Sequence, residues 1–167
     1  MGNRAVITTE DKRVGVYLHW NGGRDSVEAF LKYCKLKGYR PPDKDCYGWA
    51  RLCQVISNFF GGTCSIGIDS YDCLDRDNGD NGVYIIKDWE IVGREYFDFE
   101  EQHCYSFNMM LDQIDSCMPE TEQLGTEFLT GIHVPTSDLK VGDRVYFMDH
   151  NDSLTVETDF KCLEFCS

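Results

Sequence analysis

The order of its strand-like and helix-like segments limits most strongly what this chain can fold into. RAVITT at 4–9 and VGVYLHW at 14–20 are rich in apolar and β-branched residues, and the polar EDKR separates them. This pattern predicts a β-hairpin. NGG at 21–23 then predicts a turn, because glycine adopts backbone conformations that other residues avoid. A helical segment follows directly, so strands and helices belong to one domain.

The first helical segment is RDSVEAFLKYCKLKG at 24–38, with Asp25 or Ser26 as its predicted N-cap and Gly38 at its end. One face of this helix is apolar and predicts burial against the sheet. That face consists of Val27, Phe30, Leu31 and Cys34.

A second helical segment, CYGWARLCQVISNFFGG at 46–62, ends at two glycines. Its apolar face is wide, so we expect this helix to be the most buried element. The residues of this face are Trp49, Leu52, Cys53, Val55, Ile56, Phe59 and Phe60.

Further strands are predicted at TCSIGI (63–68), GVYIIKD (82–88) and WEIVGREYF (89–97), the last two joined by a short turn. SFNMMLDQIDSC predicts a third helix with Ser106 as its cap. The predicted fold class is therefore α+β, with an antiparallel sheet on which two to three helices pack.

The pattern changes near residue 119, and this change predicts three parts of the chain. Residues 1–118 form the main α+β domain, and the aperiodic polar stretch at 119–131 forms a linker. Residues 132–167 contain four short apolar runs, IHVP, DRVYFMD, SLTVETD and KCLEF, which predict a small C-terminal β-meander.

Acidic charge is concentrated in the middle of the chain, which has 167 residues and a formal net charge of −13. Residues 1–68 carry ten Lys/Arg and six Asp/Glu, residues 69–120 three and fourteen, and residues 121–167 three and nine. An acidic surface repels nucleic acid and membranes and attracts basic protein surfaces. Solubility alone is the other explanation of this charge.

The nine cysteines and the N-terminal sequence both favour a cytoplasmic protein. No apolar signal segment precedes residue 14, and no run approaches the length of a membrane span. The odd number of cysteines favours free thiols, which we expect to be mostly small buried side chains. No CxxC pair supports a zinc site, so we predict no metal and no cofactor.

The segment HWNGGRDS at 19–26 is the first candidate site. Glycines and a helix start, together with Arg24, favour an anion, and His19 and Trp20 can stack on a base or sugar. A small-molecule pocket here would use His19, Trp20, Asn21, Arg24 and Arg94. The alternative is a tight strand-to-helix turn with Trp20 in the core and Asp25 as the cap.

The segment DRDNGDNG at 75–82 is the second candidate. Its acids suggest calcium, but the EF-hand pattern fails because Asp80 replaces the required glycine and Ile86 the required glutamate. Three interpretations remain, which are a divalent ion in a loop that is not an EF-hand, an Asn-Gly turn that leads into a strand, and an acidic contact surface.

Two further possibilities are a catalytic site and a functional role for Arg94. The histidines at 19, 103, 133 and 150 form no recognisable signature with a cysteine or serine, so we predict no catalytic residue. Arg94 stands in an acidic, aromatic strand and is predicted to pair internally with Glu90 or Asp98. The alternative is that this strand is a protein-contact surface.

Four segments resemble small uncharacterised proteins of phages and mobile elements of Gram-positive bacteria. These are GVYLHWNGG at 15–23, YGWARLCQVISNFFGG at 47–62, DNGDNGVYII at 77–86 and VGRE at 92–95. The resemblance spans about residues 1–118, and proteins of this kind often counter host defences, as anti-CRISPR proteins do.

This context implies a stoichiometric inhibitor that binds a host defence protein such as a Cas nuclease in the bacterial cytoplasm, without binding nucleic acid itself. Its acidic surface would occupy the partner's basic nucleic-acid site. The contact candidates are Asp75, Asp77, Asp80, Glu100 and Glu101. A nucleotide second-messenger sponge that uses the 19–26 site is the alternative.

Overall fold

The computed structural model describes residues 2–99, residues 107–124 and the backbone of two short strands at 144–146 and 153–155. The chain divides into two units, Met1–Gln123 and Leu124–Ser167. We describe each unit by itself.

A five-stranded sheet with the order β3-β2-β1-β4-β5 forms the centre of the first unit. The predicted hairpin and the three later strands are confirmed. The β4–β5 turn contains Asp88 and Trp89, both with positive φ, as in the tight turns typical of hairpins. The strands are β1 Ala5–Thr9, β2 Val14–Leu18, β3 Ile66–Ser70, β4 Val83–Lys87 and β5 Glu90–Glu95.

The α+β class is confirmed, but the prediction of an antiparallel sheet is wrong at one pair, because β1 and β4 are parallel. The cause is the path of the chain after β3. The Tyr71 N–H donates to the Arg13 carbonyl at 3.1 Å, near the β1–β2 hairpin, whereas the Val6 N–H donates to the Gly82 carbonyl at 2.9 Å. The segment at 71–82 thus returns across the sheet, and β4 enters at the end where β1 begins.

Three helices accompany the sheet, α1 Arg24–Leu36, α2 Cys46–Phe59 and α3 Phe107–Ser116. The expectation that α2 is the most buried helix is wrong, because α1 buries seven of its 13 residues and α2 buries four of its 14. Trp49 in α2 and Phe60 directly after it are only half-buried, and the buried residues of α2 are Gly48, Leu52, Val55 and Ile56.

The helix caps differ in part from the prediction. Gly23 is the N-cap of α1, and the Asp25 carboxylate accepts a hydrogen bond from the Ser26 N–H at 2.8 Å instead of capping the helix. Helix α2 begins after Asp45, whose carboxylate accepts from the Tyr47 N–H at 2.8 Å. Ser106 lies outside the described residues.

In the second unit the structure describes two strands, β6 Arg144–Tyr146 and β7 Ser153–Thr155, which pair antiparallel with Val145 opposite Leu154. They fall within two of the four runs predicted to form the meander. The other runs and most of the predicted linker lie outside the described residues, so the three-part division of the chain stays a prediction.

The cysteines correct one expectation. All six that the structure describes are free thiols, but four are exposed and Cys53 is half-buried. Only Cys34 is a buried core residue, and burial raises the pKa of its thiol. Within the described residues, no helix combines the length and apolar character that crossing a membrane requires.

Candidate functional site

One end of the sheet brings the two predicted sites together. Leu18 at the end of β2 lies opposite Ala5 at the start of β1, and Val83 at the start of β4 lies beside Val6. The turn at 19–26 follows β2, and the loop at 75–82 precedes β4. The two segments therefore meet at this end of the sheet, although 48 residues separate them in sequence.

The backbone before β1 joins the turn to the loop. The Asn3 carbonyl accepts from the Gly22 N–H at 2.7 Å, and the Asn3 N–H donates to the His19 carbonyl at 3.2 Å. The Arg4 carbonyl accepts from the Asn81 N–H at 3.1 Å. Asn3 and Arg4 thus bind the turn on one side and the loop on the other.

Gly22 is packed too closely for any side chain. A Cβ atom there would lie 2.6 Å from the Asn3 carbonyl oxygen and 2.7 Å from the Ala5 Cβ. The Gly22 carbonyl accepts from the Tyr84 hydroxyl at 2.9 Å, and its N–H is already bound to Asn3. The glycine therefore serves close packing, and its N–H is not directed at an anion.

His19 and Trp20 are exposed, so the alternative that placed Trp20 in the core is wrong. Trp20 is 42% exposed, and its ring lies edge-on to the His19 ring at 4.9 Å. The Tyr17 hydroxyl lies 3.5 Å from the His19 Nδ1. The half-buried Tyr17 ring and the two exposed rings thus lie side by side at the end of β2.

Asn21 and Arg24 make contacts within the turn and the helix. Asn21 has a φ of 54°, and its side-chain amide lies 3.5 Å from the Ser26 hydroxyl. The Arg24 Nε donates to the Glu28 carboxylate at 2.6 Å, one helical turn further along α1. This contact directs Arg24 along the helix.

Arg94 stacks between aromatic rings. Its guanidinium carbon lies 3.7 Å from the Tyr84 ring centroid and 4.0 Å from that of Phe97, and its Nη2 donates to the Asn81 carbonyl. Through the hydroxyl of Tyr84, Arg94 is connected to Gly22. The structure thus brings Arg94 to the same end of the sheet as the 19–26 turn.

The predicted acidic contacts fall into three groups. Asp80 accepts from the Arg4 backbone N–H at 3.1 Å and from its Nε at 2.7 Å, and these bonds lower the pKa of the Asp80 carboxyl. Asp75 is exposed and lies 3.8 Å from the Arg4 guanidinium, and Asp77 is exposed too. Glu100 and Glu101 lie outside the described residues.

Asn78 organises the loop to which these acids belong. This residue is 4% exposed, and its amide nitrogen donates to the Asp75 and Gly82 carbonyls. Its amide oxygen accepts from the N–H groups of Asp80 and Gly82, both at 3.1 Å. The side chain of Asn78 therefore fixes the loop, and among the described residues no three His, Cys, Asp or Glu side chains converge to hold a metal ion.

A cluster around Tyr71 was not predicted from the sequence. Tyr71 packs on Val6 and Val83, and the Arg76 guanidinium lies 4.8 Å from its ring centroid. Its hydroxyl donates to the Glu95 carboxylate at 2.6 Å. Burial is the larger cause and this hydrogen bond the second cause that raise the pKa of Tyr71 to about 12. The only signal in the sequence was a Tyr and a Leu three residues apart within a polar segment.

Comparisons of the chain with protein-family models, with curated proteins and with solved structures gave no match.

Proposed function

We propose that this protein is a stoichiometric inhibitor that binds a basic nucleic-acid site of a host defence protein, such as a Cas nuclease. The observation that carries the proposal is a row of exposed carboxylates on a segment that is held firmly against the sheet. This row, the acidic row, consists of Asp69, Asp72, Asp75 and Asp77.

The anchoring of the segment is what makes the acidic row suitable for recognition. Tyr71 and Leu74 pack on the sheet, and Asn78 fixes the loop that follows. The backbone that carries the carboxylates is therefore held in place before a partner arrives, which reduces the entropy lost on binding. A fixed series of negative groups can imitate the charge of a nucleic-acid backbone.

The charge of the row supports a protein partner instead of nucleic acid. Segment 69–99 carries nine Asp/Glu and three Lys/Arg, so it repels phosphate and attracts the lysines and arginines of a nucleic-acid channel. The resemblance to small phage and mobile-element proteins supports the same partner, because such proteins meet defence nucleases in their host.

One observation favours a second function, a small-molecule sponge at the 19–26 turn. His19 and Trp20 are exposed at the sheet end and offer rings on which a nucleotide base can stack. The Gly22 N–H and Arg24 already form hydrogen bonds within the fold. Stacking on the rings would therefore contribute most of the binding of a nucleotide. This function predicts that purified protein retains a UV-absorbing compound, which Trp20→Ala releases.

The first test is capture of partners by the tagged protein from a Gram-positive host lysate at low and high salt, with mass spectrometry of bound proteins and small molecules. We expect a defence nuclease at low salt and its loss at high salt, because exposed charges are screened. Asp75→Asn combined with Asp77→Asn should weaken the captured complex by about threefold to tenfold.

The matched control is Asp112→Asn combined with Glu120→Gln. It removes the same charge from two exposed acids that do not belong to the acidic row, one on α3 and one in the chain that follows α3. Equal weakening by both double variants would show that net charge alone acts, and would contradict recognition by the row. A nucleotide without a protein partner would favour the sponge.

A further inference from the structure

Three aromatic residues follow β5 and form an exposed patch on the described surface. Tyr96 is 49% and Phe99 69% exposed, and the Phe97 and Phe99 rings meet edge-to-face at 5.8 Å. Asp98, between the two phenylalanines, is exposed as well. We call Tyr96, Phe97 and Phe99 the aromatic patch.

The fold already uses these rings to hold guanidinium groups. Arg94 lies 4.0 Å from the Phe97 ring centroid, and Arg76 lies 5.7 Å from that of Tyr96. Tyr96 keeps 49% of its surface exposed beside Arg76, Phe97 is half-buried, and Phe99 is 69% exposed. The open surfaces offer the same stacking to a guanidinium from outside.

The acidic charge around the aromatic patch favours a positively charged group as its binding partner. The exposed Asp98 adjoins the rings, and the segment from residue 69 to residue 99 is strongly acidic. Arginine suits such a surface, because its planar guanidinium can stack on an aromatic face and pair with a carboxylate at once. Lysine is a compact and more strongly hydrated charge, and it gains less from an exposed ring.

We propose that the aromatic patch docks an arginine-bearing basic segment of a protein partner, and that its rings distinguish arginine from lysine. This inference rests on the proposed function, for which the acidic row supplies the attraction. The patch adds a preference that charge alone does not provide.

The test compares the binding of two labelled peptides of equal length, oligo-arginine and oligo-lysine, to the full chain at low ionic strength. We expect the arginine peptide to bind at least about threefold more tightly. Phe99→Leu should lower this preference towards one while leaving the affinity for the lysine peptide unchanged.

Tyr47→Leu is the matched control, because Tyr47 is an exposed aromatic residue on α2, 62% exposed, with Arg40 over its ring. This variant should keep the arginine preference. Sedimentation of the wild type and of Phe99→Leu at several concentrations should show the same oligomeric state.

Equal affinities for the two peptides in the wild type, or a preference that survives Phe99→Leu, would overturn the inference and leave the acidic row intact as the binding surface. Failure of both peptides to bind would count against the acidic row itself. Self-association that Phe99→Leu abolishes would assign the patch to a second copy of the chain and overturn an arginine-bearing partner.

Discussion

At the residue scale, Asp80 serves the fold although its sequence context suggested a partner contact. Both hydrogen bonds that its carboxylate accepts come from Arg4, more than seventy residues earlier in the chain. The carboxylate stabilises the folded state above the pKa of the unfolded chain, about 3.9. Because these bonds lower its pKa in the folded state, this stabilisation is lost as the pH falls through that lower value.

We therefore expect Asp80→Asn to lower the free energy of unfolding by about 1 kcal/mol near neutral pH, allowing for the partial exposure of the pair. The difference from the wild type should shrink as the pH falls below about 4. Urea denaturation across this pH range measures it. Asp77→Asn, at an exposed site, should change little, and a difference for Asp80→Asn that does not depend on pH would contradict the assigned role.

Single residues show why the sequence predicted only part of the candidate site. Asp75, Asp77 and Asp80 look alike in DRDNGDNG, and only the position of Arg4 separates the internal carboxylate from the exposed ones. Arg94 lies opposite Tyr84 in the register of β4 and β5, and its stacking on that ring depends on this register. Such contacts between distant residues leave no pattern in the local sequence.

At the element scale, the turn between β2 and α1 joins the first strands to the helices. Gly22 allows the chain to pass directly over the backbone of Asn3 and Arg4 before α1 begins. The NGG sequence predicted a turn correctly, since glycine tolerance is a local property. A glycine is required at position 22 because the turn packs closely on the chain at the start of β1. The sequence predicted this strand, but it did not show that the turn lies against it.

Gly22→Ala should lower the free energy of unfolding by at least about 2 kcal/mol, because the added methyl group would overlap backbone atoms that cannot move aside. The control is Gly67→Ala on the edge strand β3, where a Cβ would meet only the Tyr17 Cβ at 3.9 Å. Thermal or urea unfolding of both variants compares the two sites. Similar small losses at both would show that the turn adjusts, contrary to this account.

The strands and helices themselves were largely predictable, because hydrophobic periodicity and turn residues act over short distances. The parallel pairing of β1 with β4 was not, because it depends on the segment at 71–82 crossing the sheet. The extent to which α1 is buried was not predicted either, because it also depends on contacts with distant parts of the chain. Its burial comes from α2 and α3 on its flanks, which no property of its own sequence reveals.

At the scale of the whole molecule, the acidic charge and its position carry the proposed function. The sequence located the charge in the middle of the chain, and the structure adds that one part of it is anchored to the sheet by Tyr71, Leu74 and Asn78. The exposed aromatic rings after β5 belong to the same chain segment. Together these features suit binding to a basic protein surface.

The most direct test of the inhibitor proposal is competition with DNA for the captured nuclease. The nuclease is immobilised, and the binding of a double-stranded target DNA is measured at increasing concentrations of the protein. If the acidic row occupies the nucleic-acid site, the apparent Kd for DNA rises in proportion to the concentration of the protein, and no ternary complex forms. An unchanged Kd with both molecules bound at once would contradict the proposal.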